Sequence, residues 1–448
     1  MKKTSEHRSA LAMAGLSVIL MTSVTASGAT LCVNPGGTSG CSSTISAAVA
    51  AAAPGSTIQV AKGIYKESVV ITKSLSLTGS NGYSIIDATG LSNGIFVNGM
   101  SVEPGNGVAG VAISGFTIKN ANYEGILVAN AVDVTISGNT LDGNNRGLVI
   151  TATSESCPGQ PAYETNEGDD CGEAIHLMGV DHSIVAGNIV TNNAGGILLS
   201  DETGWTYQNL ITGNTVTNNA LDCGITLASH TPAPNLPQGF SYGVFRNTVS
   251  HNVVSHNGYI GQGAGVGIFA PGPGATASFN VVSDNTLTDN GIGGVAMHNH
   301  AAPGVNGVPA QAPGVSLSDN QITGNQISGN AADVDDPASP GSTGISIVSF
   351  APVTGTVIAQ NTFSSEIADV TFNAPAGMIE VHLNTFSGIE IGVAAESTGG
   401  IDASQNWWGC PDGPGGVGCS TVQGSPIYNI NSWLAAPLPA PPAPAPGS

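Results

Sequence analysis

The chain has 448 residues, of which only 9% are charged; 30 acidic side chains oppose 9 basic ones for a formal charge of −21, and glycine numbers 62. A surface so short of cations repels nucleic acid and anionic lipid, and it repels a polyanionic polysaccharide unless metal ions bridge the contact. Abundant Gly, Asn, Thr and Val suits many short strands and tight turns better than helices.

At the start, Lys2, Lys3 and Arg8 precede an apolar stretch from Ala10 to Met21, and Ser27-Gly28-Ala29 offers small residues for cleavage. This is the layout of an export signal over residues 1–29, so the mature chain is expected to begin at Thr30 and the protein to be secreted or periplasmic. Loss of Lys2, Lys3, Arg8 and Glu6 leaves six cationic and 29 acidic side chains, a charge of −23. No later stretch approaches the roughly 20 apolar residues that cross a bilayer, so no membrane span is expected.

Next, Ser42 to Ala53 reads as a short helix, with Ser42 or Ser43 as N-cap and an end at Pro54-Gly55. Thr57-Ile-Gln-Val and then Val69 to Leu77 alternate as half-buried strands do. Beyond them a Gly-led apolar strand recurs: Glu124-Gly-Ile-Leu-Val, Arg146-Gly-Leu-Val-Ile, Gly195-Gly-Ile-Leu-Leu, Cys223-Gly-Ile-Thr-Leu, Gly293-Gly-Val-Ala-Met and Thr343-Gly-Ile-Ser-Ile. One such strand cannot bury its apolar face alone, so the repeat predicts coils that stack as a solenoid. The helix before it is then an end cap over the first coil.

The run Ser43-Thr-Ile-Ser-Ala-Ala-Val, Pro54-Gly-Ser-Thr-Ile-Gln-Val, Gly63-Ile-Tyr-Lys-Glu and Ile71-Thr-Lys-Ser-Leu-Ser-Leu-Thr-Gly resembles the opening of secreted right-handed parallel β-helix proteins, the pectate-lyase-like superfamily. The body is similar to its copper-accessory (NosD-like) and carbohydrate-binding or sugar-hydrolase branches. The resemblance implies an all-β, single-stranded right-handed parallel β-helix over residues 30–434, with a Pro/Ala-rich tail at 435–448. It does not select an activity, because that superfamily holds lyases, hydrolases, epimerases and adhesins.

A second repeat, Gly138-Asn-Thr-Leu, Gly187-Asn-Ile-Val, Gly213-Asn-Thr-Val, Asp284-Asn-Thr-Leu and Gly324-Asn-Gln-Ile, mostly has another Asn five residues on. Asn tolerates left-handed turns and stacks on its equivalent in the next coil, so these residues read as scaffold. The shortest step between Gly-led strands is about 22 residues, and the surplus in longer steps is inserted loop. The segments 229–243, 270–276 and 301–314 all follow the same strand and would wall a groove able to hold an extended ligand.

The seven cysteines divide by proximity into Cys32 with Cys41, Cys157 with Cys171 and Cys410 with Cys419, three local loop staples suited to an oxidising compartment. Cys223 is left over and reads as a small buried residue rather than a nucleophile, since a reactive thiolate needs cationic neighbours.

Setting Ile175, Ile197, Ile225, Val266, Val295 and Ile345 in one inward file places Leu177, Leu199, Leu227, Ile268, Met297 and Ile347 in a second. Between them His176, Leu198, Thr226, Gly267, Ala296 and Ser346 point outward. At the strand ends this alignment gathers Asp201, Glu202, His230, His298 and His300, the candidate catalytic residues. Imidazole serves as acid, base or metal ligand, and a neighbouring carboxylate raises its pKa. His298 and His300, two apart on a strand, would share a face suited to chelation. Candidate ligand-binding residues are His176, Trp205, Tyr242 and Asn299.

Plainer readings stand beside these. Polar strand ends can simply cap backbone groups, and on a regular strand Asp201 and Glu202 would point oppositely rather than flank a glycosidic bond. Asp333-Val-Asp-Asp336 offers oxygen ligands to a divalent cation such as calcium, though solvated acidic loops are common. Trp407 and Trp408 suit a terminal cap better than a sugar platform. A lyase of the usual β-helix kind is disfavoured because the mature chain keeps only Arg146, Arg246 and Lys62, Lys66, Lys73 and Lys119, away from the cluster.

Three readings remain open: a polysaccharide hydrolase, lyase or epimerase; a non-catalytic module for an extracellular polysaccharide or cell-surface glycan; and a structural protein or adhesin. A monomer is expected in each.

Overall fold

The computed structural model describes residues 28–100, 107–151, 155–161, 163–164, 171–230, 242–260, 262–270, 274–299, 315–336 and 338–438. The expected export signal up to residue 27, the tail from residue 439, His300 and the inserts 231–241, 271–273 and 301–314 lie outside the described residues.

Alternating apolar residues force the chain into short strands, which close successive coils into three long sheets of 14, 10 and 16 strands. Pairing between coils is parallel, and the first inward file runs Ile175, Ile197, Ile225, Val266, Val295, Ile345 in register. Both inward files are fully buried, each side chain contributing roughly 1.5–3 kcal/mol. The product is a parallel β-helix.

Corners between strands need left-handed backbone. Gly138, Gly187 and Gly213 supply it at φ 61°, 64° and 64°, where a Cβ would be strained. The residue after each of these glycines belongs to a ladder: Asn139, Asn188, Asn214, Asn252, Asn285, Asn325, Asn361, Asn384 and Asn406. From Asn188 on, the Oδ1 of each Asn accepts both the backbone N–H and the amide of its predecessor. Five residues on, Asn144, Asn193, Asn219, Asn257, Asn290 and Asn330 form a second ladder that ends on Glu366 Oε1. These buried amides are polar groups the core tolerates because each is paired.

Coil length, read along the first ladder, varies from 22 residues between Asn384 and Asn406 to 49 between Asn139 and Asn188. The longest coil corrects one sequence expectation. Arg146-Gly-Leu-Val-Ile is not a coil strand; Val149–Ile150 pairs antiparallel with Glu155–Ser156, and both apolar side chains are exposed. The slot above Ile126 is taken instead by Ile175 of the strand Glu173–Asp181, so the described residues between 147 and 171 stand outside the coil, tied by the Cys157–Cys171 disulfide. Cys32–Cys41 and Cys410–Cys419 are also bonded, while Cys223 is free and buried, its thiol pushed up by burial and by Asp222.

Both ends are capped. The helix is Ile45–Ala51, with Thr44 rather than Ser42 or Ser43 as N-cap, its side chain accepting from Ala47 N–H at 3.2 Å. Ile45, Ala48 and Val49 cover the first coil. At the far end Trp408 is fully buried against Phe386, centroids 4.9 Å apart, and Phe386 stands 5.7 Å from Phe363. Among the described residues no helix is long and apolar enough to cross a membrane.

Candidate functional site

The outward file of the 16-stranded sheet does not face solvent: His176, Leu198, Thr226, Ala296 and Ser346 are all buried. Part of the cover is the disulfide-closed excursion, whose Tyr163 packs on the outer apolar patch of Leu127, Ala129 and Met178 and so carries Glu164 into a buried position.

Beneath this cover a polar relay climbs from coil to coil. His176 Nδ1 stands 3.8 Å from Glu124 Oε1, and its Nε2 lies 2.6 Å from Ser200 Oγ. Ser200 donates in turn to Glu202 Oε2, and Glu202 Oε1 meets His230 Nδ1 at 3.2 Å. The stacking that brings Glu202 under His230 follows from the register Ser200↔Ala228. Asp201, adjacent in sequence, turns elsewhere and accepts from Ser229 Oγ, His230 N–H and Gly243 N–H at 3.0, 2.7 and 2.5 Å. Its carboxylate ties the loop base together instead of facing the relay.

Charge states diverge within the cluster. Burial, then repulsion from Glu124, pushes Glu164 up to about 9, so it carries a proton at neutral pH. Burial alone would raise Glu202 too, but the charge and contact of His230, with His176 and Ser200, outweigh it and hold Glu202 well below the usual carboxylate range. His230 is driven down by burial and, more strongly in sum, up by Glu202 and Asp201. Burial pushes the His176 ring down, partly offset by Glu202 and Glu164. The environment therefore pushes the two buried carboxyls, Glu164 and Glu202, in opposite directions. Only His230 reaches outward, its side chain 11% exposed against 1% for Glu202.

The structure separates His298 from this relay. Ser200, Ala228, Phe269 and His298 follow one another in register, placing His298 three rungs from Ser200, roughly 14 Å along the axis at the usual rung spacing. Its Nε2 instead lies 2.7 Å from Asp333 Oδ2, its Nδ1 3.6 Å from Asp335 Oδ2, and Phe269 packs edge-on at 5.5 Å. His298, Asp333 and Asp335 present ligand atoms within 4.8 Å of one another, an arrangement open to a metal ion. Asn299, another sequence candidate, is buried and donates to Ala270 O at 2.8 Å, which makes it scaffold.

Trp205 and Tyr242 do come together. They line a surface cavity of about 370 Å³ with Tyr207, Asp181, Thr203 and Asn130. The Asp201 staple at Gly243 positions Tyr242, and Thr203 Oγ1 donates to Met178 O at 3.1 Å to fix the turn that presents Trp205. From the cavity an aromatic strip continues up the coils. Tyr207 and Phe245 are register partners with rings stacked at 5.4 Å and 10°, His182 meets Tyr207 edge-on, and Arg246 lies 5.9 Å from both Phe245 and Phe279. Trp205 is 60% and Phe279 52% exposed. The sequence missed this strip because Tyr207, Phe245 and Phe279 stand 38 and 34 residues apart and share a face only through insert-lengthened coils.

Residues 73–238 match a family profile described as a right handed beta helix region. Among solved structures, the Dettilon tailspike protein aligns with 84% of this chain at 14% identity and TM-score 0.55, and the chain spans 62% of the tailspike's length. The tailspike of E. coli bacteriophage HK620, in complex with a pentasaccharide, aligns with 86% at 10% identity and TM-score 0.52, with 62% of its own length covered. An alginate lyase from Paenibacillus sp. str. FPU-7 aligns over 76% of this chain and 97% of its own at 14% identity and TM-score 0.49. No curated protein sequence matches the chain. The profile, the parallel sheets and the two tailspikes agree on the fold: this chain is a right-handed parallel β-helix.

Proposed function

We propose that this chain is a secreted or periplasmic protein that binds an extended, uncharged carbohydrate across the cavity at Trp205 and Tyr242 and along the strip Tyr207, Phe245 and Phe279. The observation that carries this reading is the stacked pair Tyr207 and Phe245, one rung apart, beside a cavity edged by Asp181, Asn130 and Thr203, with the exposed Phe279 ring near Arg246 on the next coil. Aromatic faces bury the apolar faces of sugar rings while the polar groups orient hydroxyls. With only six cations in the mature chain, a neutral glycan fits better than a polyuronate. The HK620 tailspike, which shares the fold, is in complex with a pentasaccharide. Affinity electrophoresis through gels containing individual neutral and acidic polysaccharides tests the proposal. Retardation by a neutral polysaccharide, lost in Trp205→Ala, supports it; equal mobility of wild type and variant in every gel overturns it.

A hydrolase is the second reading, favoured by Glu164, kept protonated by burial, opposed to Glu202, held charged by the neighbouring His230. The turn Asp201 to Trp205 links that cluster directly to the cavity. In this reading Glu164 donates the proton to the leaving oxygen and Glu202, held charged by His230, acts as base or nucleophile. Release of reducing ends from the bound polysaccharide, abolished by Glu164→Gln and Glu202→Gln with binding retained, is the outcome it requires.

A further inference from the structure

After Arg246 the chain contains no lysine or arginine, yet this part of the fold buries Asp333, Asp336, Glu366, Asp369 and Glu390. Buried carboxylates need cationic or hydrogen-bonding partners. Here the only cationic side chains available are histidines, and His298 lies between two carboxylates.

Two features of that contact point to a metal ion. First, the 3.6 Å gap between His298 Nδ1 and Asp335 Oδ2 is too long for a hydrogen bond. It is close to the separation of two ligands across an ion with bonds of about 2.0–2.2 Å to nitrogen and oxygen. Second, Asp333 holds the opposite ring nitrogen at 2.7 Å, the outer carboxylate that fixes the ring and raises the basicity of a metal-bound histidine. The edge of Phe269 fixes the ring from the side, and Asp335 N–H donates to Asp333 Oδ1 at 3.1 Å, so the loop itself is set. Close by, Asp336 Oδ2 is buried with no hydrogen-bond partner.

We infer that His298, Asp333 and Asp335 form a binding site for one divalent transition-metal ion of the zinc type. His298 Nδ1 and the Asp335 carboxylate are the ligands, Asp333 is the orienting carboxylate, and water fills the remaining positions. Mixed imidazole and carboxylate donors suit zinc or manganese, whereas calcium prefers an all-oxygen shell. The ion pins the 333–336 loop to the outer face of the strand Val295–Asn299 and offsets negative charge that no lysine or arginine in this region reaches. The site is independent of the carbohydrate reading.

Isothermal titration of the metal-free mature protein with Zn²⁺, and separately with Ca²⁺, tests the inference. One equivalent of Zn²⁺ is expected to bind, with Ca²⁺ at least tenfold weaker. Asp335→Asn, at a side chain that is 48% exposed and tolerates change, is expected to weaken Zn²⁺ binding at least tenfold. Asp333→Asn should lower it 10- to 100-fold through the lost outer carboxylate. Absence of Zn²⁺ uptake, preference for Ca²⁺, or uptake unchanged in Asp335→Asn overturns the assignment. His256→Ala, at the ring stacked on Tyr259, serves as the control for adventitious histidine binding and is expected to leave uptake intact.

Discussion

Replacing Asn252 by alanine tests what holds the coils in register. Asn252 is 1% exposed; its Oδ1 accepts from Asn214 N–H at 2.9 Å and from the Asn214 amide at 3.0 Å. Its own amide donates to Ile211 O at 2.9 Å and Asn285 Oδ1 at 3.0 Å. Alanine strands the Asn214 backbone N–H and one Asn214 amide hydrogen and takes the side-chain donor from the Ile211 carbonyl, while Asn285 Oδ1 keeps the backbone donor of residue 252. At about 1–3 kcal/mol for each stranded group, with partial relief from relaxation, the loss is about 3–6 kcal/mol. That is a large share of the 5–15 kcal/mol typical of a folded domain. Urea unfolding followed by circular dichroism gives the number, with the slope checked because a solenoid can unfold piecewise. Asn252→Asp, which keeps the acceptor and loses the donor, should fall between wild type and alanine. Thr215→Ala, an exposed strand position, should cost less than about 1 kcal/mol. If Asn252→Ala is no more costly than Thr215→Ala, the ladder does not carry the stability assigned to it.

Trp205→Ala should weaken binding of a retained polysaccharide about tenfold, the value of one good ring contact, without moving the thermal midpoint; an unchanged dissociation constant refutes the platform. Glu366 terminates the second ladder, and burial pushes it up to about 7, only partly offset by the Asn330 donors. A raised carboxyl favours the fold fully below its unfolded value near 4.5 and loses that contribution as pH rises through about 7. Glu366→Gln should therefore gain thermal stability over wild type at about pH 8 and lose that advantage near pH 4, and parallel melting curves across pH would contradict this. Glu164→Gln should remove any release of reducing ends while leaving gel retardation intact; full activity in that variant ends the acid–base reading.

Much of the fold was legible because a β-helix writes its geometry as period and position. Ile175 through Ile345 could be aligned by eye, and the outcome at Glu202 and His230 followed from counting along that file. The paired asparagines five residues apart announced both ladders, and the helix expected over 42–53 is the shorter Ile45–Ala51 with Thr44 as its cap. The excursion at 147–171 was misread because Arg146-Gly-Leu-Val-Ile carries the same local pattern as a true coil strand; what excluded it was competition from Ile175 for the slot over Ile126, a tertiary fact. That error hid Tyr163 and Glu164, and with them the burial of His176. The separation of His298 from His230 depended on Asp333 and Asp335, which reach the histidine across a loop 35 residues on in sequence. Tyr207, Phe245 and Phe279 had no periodic signature, since inserts of different length separate them.

Diffraction from crystals soaked with a neutral oligosaccharide, taken from whichever polysaccharide retards the chain most, examines the carbohydrate proposal at its root. Density for sugar rings against Tyr207 and Phe245 and inside the cavity between Trp205 and Tyr242 is the expected result. Sugar bound on another face, or none at a concentration that saturates binding in solution, would contradict it.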